Sequence, residues 1–169
     1  AIGGGTLTSA STGTVNYNQG SAGQGILAGN YGDLVFSNFN KTLAPSGTIG
    51  ISGLFAPGSA VGHTVTGSTV SFNGSAAQTA PSGFTTYNNL TVNNSAGVTL
   101  GGSIAVNGSL ALTSGLLAVG ANTLTLNGST TVTSGSFTSA ATGTVNYNQS
   151  SGGQNVLSGN YGNLTFSDF

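Results

Sequence analysis

Residues 1–39 of this chain return without a gap as residues 131–169, and 24 of the 39 aligned positions are identical. The shared text reads T-G-T-V-N-Y-N-Q at 12–19 and 142–149, then G-N-Y-G-x-L-x-F-S at 29–37 and 159–167. A constant offset of 130 residues marks an array in which every copy meets the same neighbours, and it argues against a closed globular core. Residues 1–130 therefore read as one full long repeat and 131–169 as the start of the next copy, in a single continuous body cut from a longer array. A weaker half-repeat divides the long one at about 20–73 and 74–130. Q-G-I-L-A-G-N-Y-G-D-L from Gln24 parallels Q-T-A-P-S-G-F-T-T-Y-N-N-L from Gln78, and Gln154 opens a third version.

A finer period lies beneath both. Alternating triplets recur about every 20 residues in three series: 90–92, 110–112 and 131–133; 98–100, 116–119 and Phe137; 104–106, 124–126 and 145–147. Alternation with period two over three to five residues means side chains pointing in, out and in along a short strand. The third series is followed at one phase by Asn107-Gly108, Asn127-Gly128 and Asn148-Gln149, and Phe72-Asn73-Gly74 and Ile51-Ser52-Gly53 fit the same slot. A β-sandwich also has many short strands, but not the same corner residue at the same phase. The pattern predicts an all-β, three-sided parallel β-solenoid with about 20 residues per rung and no α-helix. One rung buries too few side chains to offset backbone ordering of about 1–2 kcal/mol per residue, so stability must come from stacking. Five to seven rungs per repeat at about 4.8 Å each would advance the axis by roughly 24–34 Å. Asn at a corner tolerates left-handed geometry, and stacked amides can bond one another, so Asn73, Asn107, Asn127 and Asn148 are expected to form a structural corner ladder.

Composition narrows the chemistry. Lys41, Asp33 and Asp168 are the only formal charges, His63 is the only histidine, and Arg, Glu, Cys, Met and Trp are absent. One lysine cannot neutralise a nucleic-acid backbone. Zinc wants Cys/His clusters and calcium wants carboxylate-rich loops, so no cofactor or metal is expected. Leu, Ile, Val and Phe supply 40 of the 169 residues, and net charge is −1, which speaks against disorder. No apolar run approaches the roughly 18 residues of a membrane span, and no signal-peptide pattern opens the stretch.

The candidate chemical groups fall away one by one. Asp33 aligns with Asn163 and Asp168 with Asn38, so each acid is replaced by an amide in the other copy, and their different phases prevent the carboxylate pair a glycosidase needs. His63, in G-H-T-V, has no predictable carboxylate, nucleophile or fellow ligand and reads as solvent-facing, while Lys41 reads as a surface lysine. The glycine clusters at 1–5 and 150–153 lack the strand-to-helix setting of a nucleotide loop. The T-x-T pairs at Thr6/Thr8, Thr64/Thr66, Thr123/Thr125 and Thr131/Thr133 fall on different phases, so they do not build the flat ladder of an ice-binding solenoid. The most specific feature is the pairing of Gln24 with Tyr31, Gln78 with Tyr87 and Gln154 with Tyr161, wherever a longer excursion interrupts the 20-residue period. Structurally, such a Gln can satisfy freed backbone groups while the Tyr covers the core edge. Functionally, Tyr, Asn and Gln are also the palette of carbohydrate-contact surfaces.

The runs G-T-V-N-Y-N-Q (13–19), Q-T-A-P-S-G-F-T-T-Y-N-N-L-T-V (78–92) and G-G-S-I-A-V-N-G-S-L-A-L-T-S-G (101–115) resemble the repeats of very long bacterial secreted adhesins of the filamentous-haemagglutinin-like and autotransporter-like kinds. The resemblance spans the chain as a pattern of β-solenoid repeats. It implies a parallel β-helix shaft, export to the cell surface, and adhesive or matrix roles; the repeat running on at constant offset adds the expectation of self-association by end-to-end continuation, with glycans or surfaces as further partners. The expectation is a non-catalytic structural segment, with a carbohydrate-binding solenoid face as the alternative and an ice-binding solenoid behind it. A pectin-lyase-type enzyme comes third, because the clustered acids and bases it uses are missing.

Overall fold

The computed structural model describes residues 6–167. It is all-β, with parallel strands stacked as a solenoid of about eight turns and roughly 20 residues per turn. No described residue is helical. Each turn lays a strand on three successive faces. The first face runs through Leu7–Thr8, Gly29–Tyr31, Thr48–Ile51, Thr69–Phe72, Asn89–Asn93 and the opening halves of Leu110–Gly120 and Thr130–Ser139. The second holds Thr14–Tyr17, Asp33–Phe36, Phe55–Ala56, Gln78–Ala80, Val98–Leu100 and the closing halves of those two long strands. On the third lie Gln24–Ile26, Lys41–Leu43, Thr86–Tyr87, Ile104–Val106, Thr123–Leu126, Thr144–Tyr147 and Asn163–Phe166.

Like stacks on like. Ile104, Leu124, Val145 and Leu164 form one inward column and Val106, Leu126, Tyr147 and Phe166 the next. The first two long-strand corners need no loop at all: Gly115 pairs with Gly135 as the chain bends through the corner. Gly115 sits at φ +80°, where a Cβ would run into the Asn94 carbonyl of the turn below, so close stacking and left-handed backbone both call for glycine there.

One expected register is corrected. Leu110 pairs with Thr130 and Leu112 with Val132, so the inward pair of this rung is Thr130 and Val132 rather than Thr131 and Thr133. The T-T-V-T run allows either alternation, and pairing with two buried leucines selects one. Thr130 is 2 % exposed, and its hydroxyl donates to the Asn155 carbonyl at 2.6 Å, which removes the cost of burying it.

The hydrogen-bonded ladders of the second and third faces break between Phe55–Ala56 and Gln78–Ala80, and between Thr64 and Thr86–Tyr87. Rings carry the core across this gap. Phe36, Phe55, Phe84 and Tyr87 follow one another with centroids 5.3, 5.0 and 4.9 Å apart and ring planes inclined at 80°, 62° and 63°, the favoured edge-to-face arrangement.

The long repeat does not contain a whole number of turns. Six parallel pairings on the first face link Thr8 through Asn30, Gly50, Ser71, Thr91 and Ala111 to Thr131. The copy of Thr8, Thr138, lies on the second face, in register with Ala118, Thr99 and Thr79. Thr14–Tyr17 on the second face likewise returns as Thr144–Tyr147 on the third. One repeat is therefore six turns and one third, and its copy is rotated by one face about the axis.

Leu112 is buried between Val92 and Val132, whereas Leu116 is 40 % exposed at the corner. Leu112→Ala is expected to cost about 2–5 kcal/mol and Leu116→Ala less than about 1 kcal/mol, read by urea unfolding followed by circular dichroism.

Candidate functional site

The glutamine–tyrosine elements are built from the ends of strands. Each starts after an aromatic-Asn corner: Tyr17-Asn18, Phe72-Asn73 or Tyr147-Asn148. The chain then leaves the regular turn and re-enters it at the Gln. Gln78 is 8 % exposed, and its amide is fully used. Nε2 donates to the carbonyls of Ile51 (2.9 Å) and Gly53 (2.8 Å) in the preceding turn, and Oε1 accepts from Gly74 N–H (2.9 Å) and Asn94 Nδ2 (2.8 Å). Gln154 repeats the arrangement: Nε2 donates to Leu126 O (2.9 Å) and Gly128 O (2.5 Å), and Oε1 accepts from Gln149 N–H (3.3 Å). Among the described residues Gln24 makes only the last kind of contact, from Gln19 N–H at 3.0 Å.

The tyrosines work in pairs, which the sequence reading missed. Leu157 N–H donates to Tyr147 Oη (2.8 Å), Tyr147 and Tyr161 hydroxyls lie 2.8 Å apart, and Tyr161 Oη donates to the Leu157 carbonyl (2.5 Å). With the Tyr161 proton committed to the carbonyl, Tyr147 must donate to Tyr161. The two rings thus close a one-way circuit around both polar groups of one backbone residue. Tyr17, Tyr31 and Leu27 form the same circuit, with 3.4, 2.8 and 2.8 Å in the same order. Burial, then the hydrogen bond from the partner ring, holds the Tyr31 and Tyr161 hydroxyls well above the ordinary 10.0. The signal was present in the sequence as a spacing of 14 residues from Tyr17 to Tyr31 and from Tyr147 to Tyr161. Among the described residues Tyr87 has no second tyrosine beside it and its buried hydroxyl lacks a partner; burial alone raises its pKa.

The three elements do not come together. Gln24, Gln78 and Gln154 open segments on the third, second and first faces, with Gln154 placed there by the Thr130–Asn155 bond. Tyr31, Tyr87 and Tyr161 follow on the first, third and second. Tyr31 and Tyr87 are 1 % and 0 % exposed, so neither ring is presented to solvent.

The asparagine corners divide in two. Asn127 Nδ2 donates to Asn107 Oδ1 (2.9 Å) and Asn148 Nδ2 to Asn127 Oδ1 (3.0 Å), a ladder along the end of the third face. Asn73 is not on it. It follows the first-face strand Thr69–Phe72, with its N–H on the Ile51 carbonyl and its buried Oδ1 unpartnered among the described residues. The corner text is the same, but it occurs one face earlier. Asn94, fully buried, was not anticipated: it bridges Ala76 O, Gln78 Oε1 and Ala96 N–H.

The ionisable residues also depart from expectation. Lys41 is not a surface lysine: it is 1 % exposed, with Nζ donating to the Ser37 carbonyl at 2.7 Å. His63 does not face solvent. Its ring stacks on Phe84 (5.3 Å, 28°) and sits 5.5 Å from Phe36, and Nδ1 accepts the Lys41 backbone N–H at 3.0 Å. His63 lies on the excursion over 57–67, which folds its ring against the aromatic column, while Lys41 sits in the strand below it, paired with Gln24 on one side and bonded to Thr64 on the other. Burial, assisted by the Lys41 charge, lowers the His63 pKa from 6.5. Asp33 acts as a corner acceptor, taking Leu54 N–H at 2.7 Å and the Thr14 hydroxyl at 3.3 Å. Asp168 and the glycine cluster at 1–5 lie outside the described residues.

Two hollows accompany these features. A small one of about 60 Å³ adjoins His63 between Val61 and Thr86. A groove of about 600 Å³ separates Thr130, Val132 and Gly135 from Val156 and Leu157 and carries no ionisable side chain. Among the described residues no three His, Asp, Glu or Cys side chains gather, and no helix is long and apolar enough to cross a membrane.

Gln78→Leu should cost at least about 2 kcal/mol by stranding several buried partners, whereas Gln24→Leu should cost less than about 1 kcal/mol; equilibrium unfolding compares them. Tyr147→Phe should destabilise by about 1–3 kcal/mol through the lost circuit, while Tyr87→Phe, which deletes an unsatisfied hydroxyl, should be neutral or stabilising. Because the His63 pKa is depressed in the fold, its contribution is complete above about 6.5 and declines as pH falls below that value. The melting temperature should therefore fall as pH is lowered through about 6.5, and His63→Phe should remove that part of the drop. No known protein family, curated protein or solved structure matches this chain.

Proposed function

We propose that the chain is a structural segment of an extracellular bacterial β-solenoid filament or fibrous adhesin shaft, non-catalytic and secreted to the cell surface. The observation that carries this reading is where the distinctive polar residues spend their hydrogen bonds. Gln78, Gln154, Asn94, Asn107, Asn127 and the tyrosine pairs bond the backbone of adjoining turns or one another. The asparagine ladder ties regular rungs together, and the glutamines and tyrosine pairs do so where the regular turn is interrupted. Resemblance to the repeats of long secreted adhesins supports the setting, and the near-absence of charge supports a role without acid–base chemistry.

A carbohydrate-binding face is the weaker reading. Two of its three tyrosines are buried, and its elements occupy three different sides of the shaft. Electron microscopy or fibre diffraction of the native material should show rods with an axial repeat of about 4.8 Å. A glycan array probed with the 169-residue chain should stay blank. Saturable binding to one glycan class would replace the shaft reading with the recognition reading.

A further inference from the structure

Three dipeptides of the chain are Asn-Gly: Asn73-Gly74, Asn107-Gly108 and Asn127-Gly128. Stacking dictates this text. The amides of Asn107 and Asn127 join the corner ladder, and no side chain fits at the position that follows. A Cβ on Gly128 would run into the Gly108 carbonyl, one on Gly108 into the Asn89 side-chain oxygen, and one on Gly74 into the Ser52 carbonyl. The same dipeptide is the one most prone to lose its amide, because glycine leaves its own nitrogen unhindered. That nitrogen attacks the Asn Cγ, and the new C–N bond closes a five-membered imide. The Cγ–Nδ2 bond breaks, and Nδ2 leaves as ammonia with the proton given up by the backbone nitrogen. Water then opens the imide at either carbonyl, to Asp or to isoaspartate.

All three dipeptides are restrained, but at different atoms. At two of them the nucleophile is held: Gly74 N–H donates to Gln78 Oε1 (2.9 Å), and Gly108 N–H donates to the Asn88 carbonyl (2.7 Å). Among the described residues Gly128 N–H donates to no acceptor. At this corner the electrophile is held instead. Asn127 Nδ2 donates to Asn107 Oδ1 at 2.9 Å, and its Oδ1 accepts from Asn148 Nδ2 at 3.0 Å, so the amide is tied to the turn below and to the turn above. Before Cγ can reach the Gly128 nitrogen, the amide must swing out of the column and give up both bonds.

We propose that Asn127 is a latent deamidation site, kept closed by the stacked amides on either side of it. The ladder then has a chemical task beside its structural one. Deamidation would set an oxygen in place of Nδ2 against Asn107 Oδ1, acceptor against acceptor, and isoaspartate would add a main-chain atom at the corner just before the strand that begins at Thr130. This chemistry depends only on stacked turns, so it holds for any role the solenoid serves.

The test incubates the intact 169-residue chain at mildly alkaline pH and reads Asp and isoaspartate at each Asn-Gly by peptide mapping with mass spectrometry. Asn107→Ala or Asn148→Ala should speed loss of the Asn127 amide about fivefold, and the double variant about thirtyfold, the worth of one and two ordinary hydrogen bonds. Asn73, followed in the same molecules, should keep its rate. Asn107→Asp retains the acceptor for Asn127 Nδ2 and should leave Asn127 at the rate of the unaltered chain. An Asn127 rate that neither alanine variant moves overturns the proposal. Equal acceleration at Asn73, which marks general loosening of the fold, does so too, as does acceleration by Asn107→Asp that matches Asn107→Ala. Should Asn148→Ala fail to fold, Asn148→Leu keeps the bulk of the corner side chain without its donor, and the same selective acceleration is required of it.

Discussion

Everything in this molecule depends on parallel strands stacking at a fixed spacing, with each turn returning to the same place after roughly 20 residues. That arrangement sets like over like. Aliphatic residues over aliphatic residues make a continuous core, and amides over amides make the Asn107–Asn127–Asn148 ladder. Charges over charges would repel one another, which gives the scarcity of ionisable groups a physical cause. Asp33 serves as an acceptor for Leu54 N–H, a task its counterpart Asn163 can perform without charge. Lys41 is the exception: it is buried with its ammonium on the Ser37 carbonyl, and the sequence supplies no second cation to stack over it.

Interruptions are where such a fold is vulnerable, because a longer excursion leaves backbone groups of the adjoining turns unpaired. The chain answers with side chains that imitate a missing strand. A Gln amide offers both a donor and an acceptor, so Gln78 and Gln154 fill gaps that a peptide unit would otherwise occupy. The tyrosine circuit does the same for Leu27 and Leu157 while keeping two rings in the core. Where neither device is available, at 57–67, edge-to-face rings take over.

The regular part of this architecture was readable from residue order. Ile104, Leu124 and Val145 announce their column because alternation and corner residue agree at one phase. Agreement fails in three informative places. Thr130 was misplaced because a run of threonines alternates equally well in two registers, and only the neighbouring leucines decide. Polarity alone places Lys41 and His63 at the surface, and nothing local reveals an aromatic column assembled from Phe36, Phe55 and Phe84, which are far apart in the chain. Asn73 carries the correct corner text but belongs to a different edge of the prism, a distinction that depends on counting thirds of a turn along the whole chain.

That residual third of a turn has a consequence for any assembly built from such repeats. A feature fixed at one position of the repeat would wind about the axis in a single slow spiral with three copies per revolution, returning to its original side only after three copies and nineteen turns. No side of the shaft would own a given pattern, and two shafts lying side by side could match a particular stripe only along every third copy. Lateral crystallisation into sheets would thereby be frustrated by phase alone, while resistance to bending would be nearly equal in all directions.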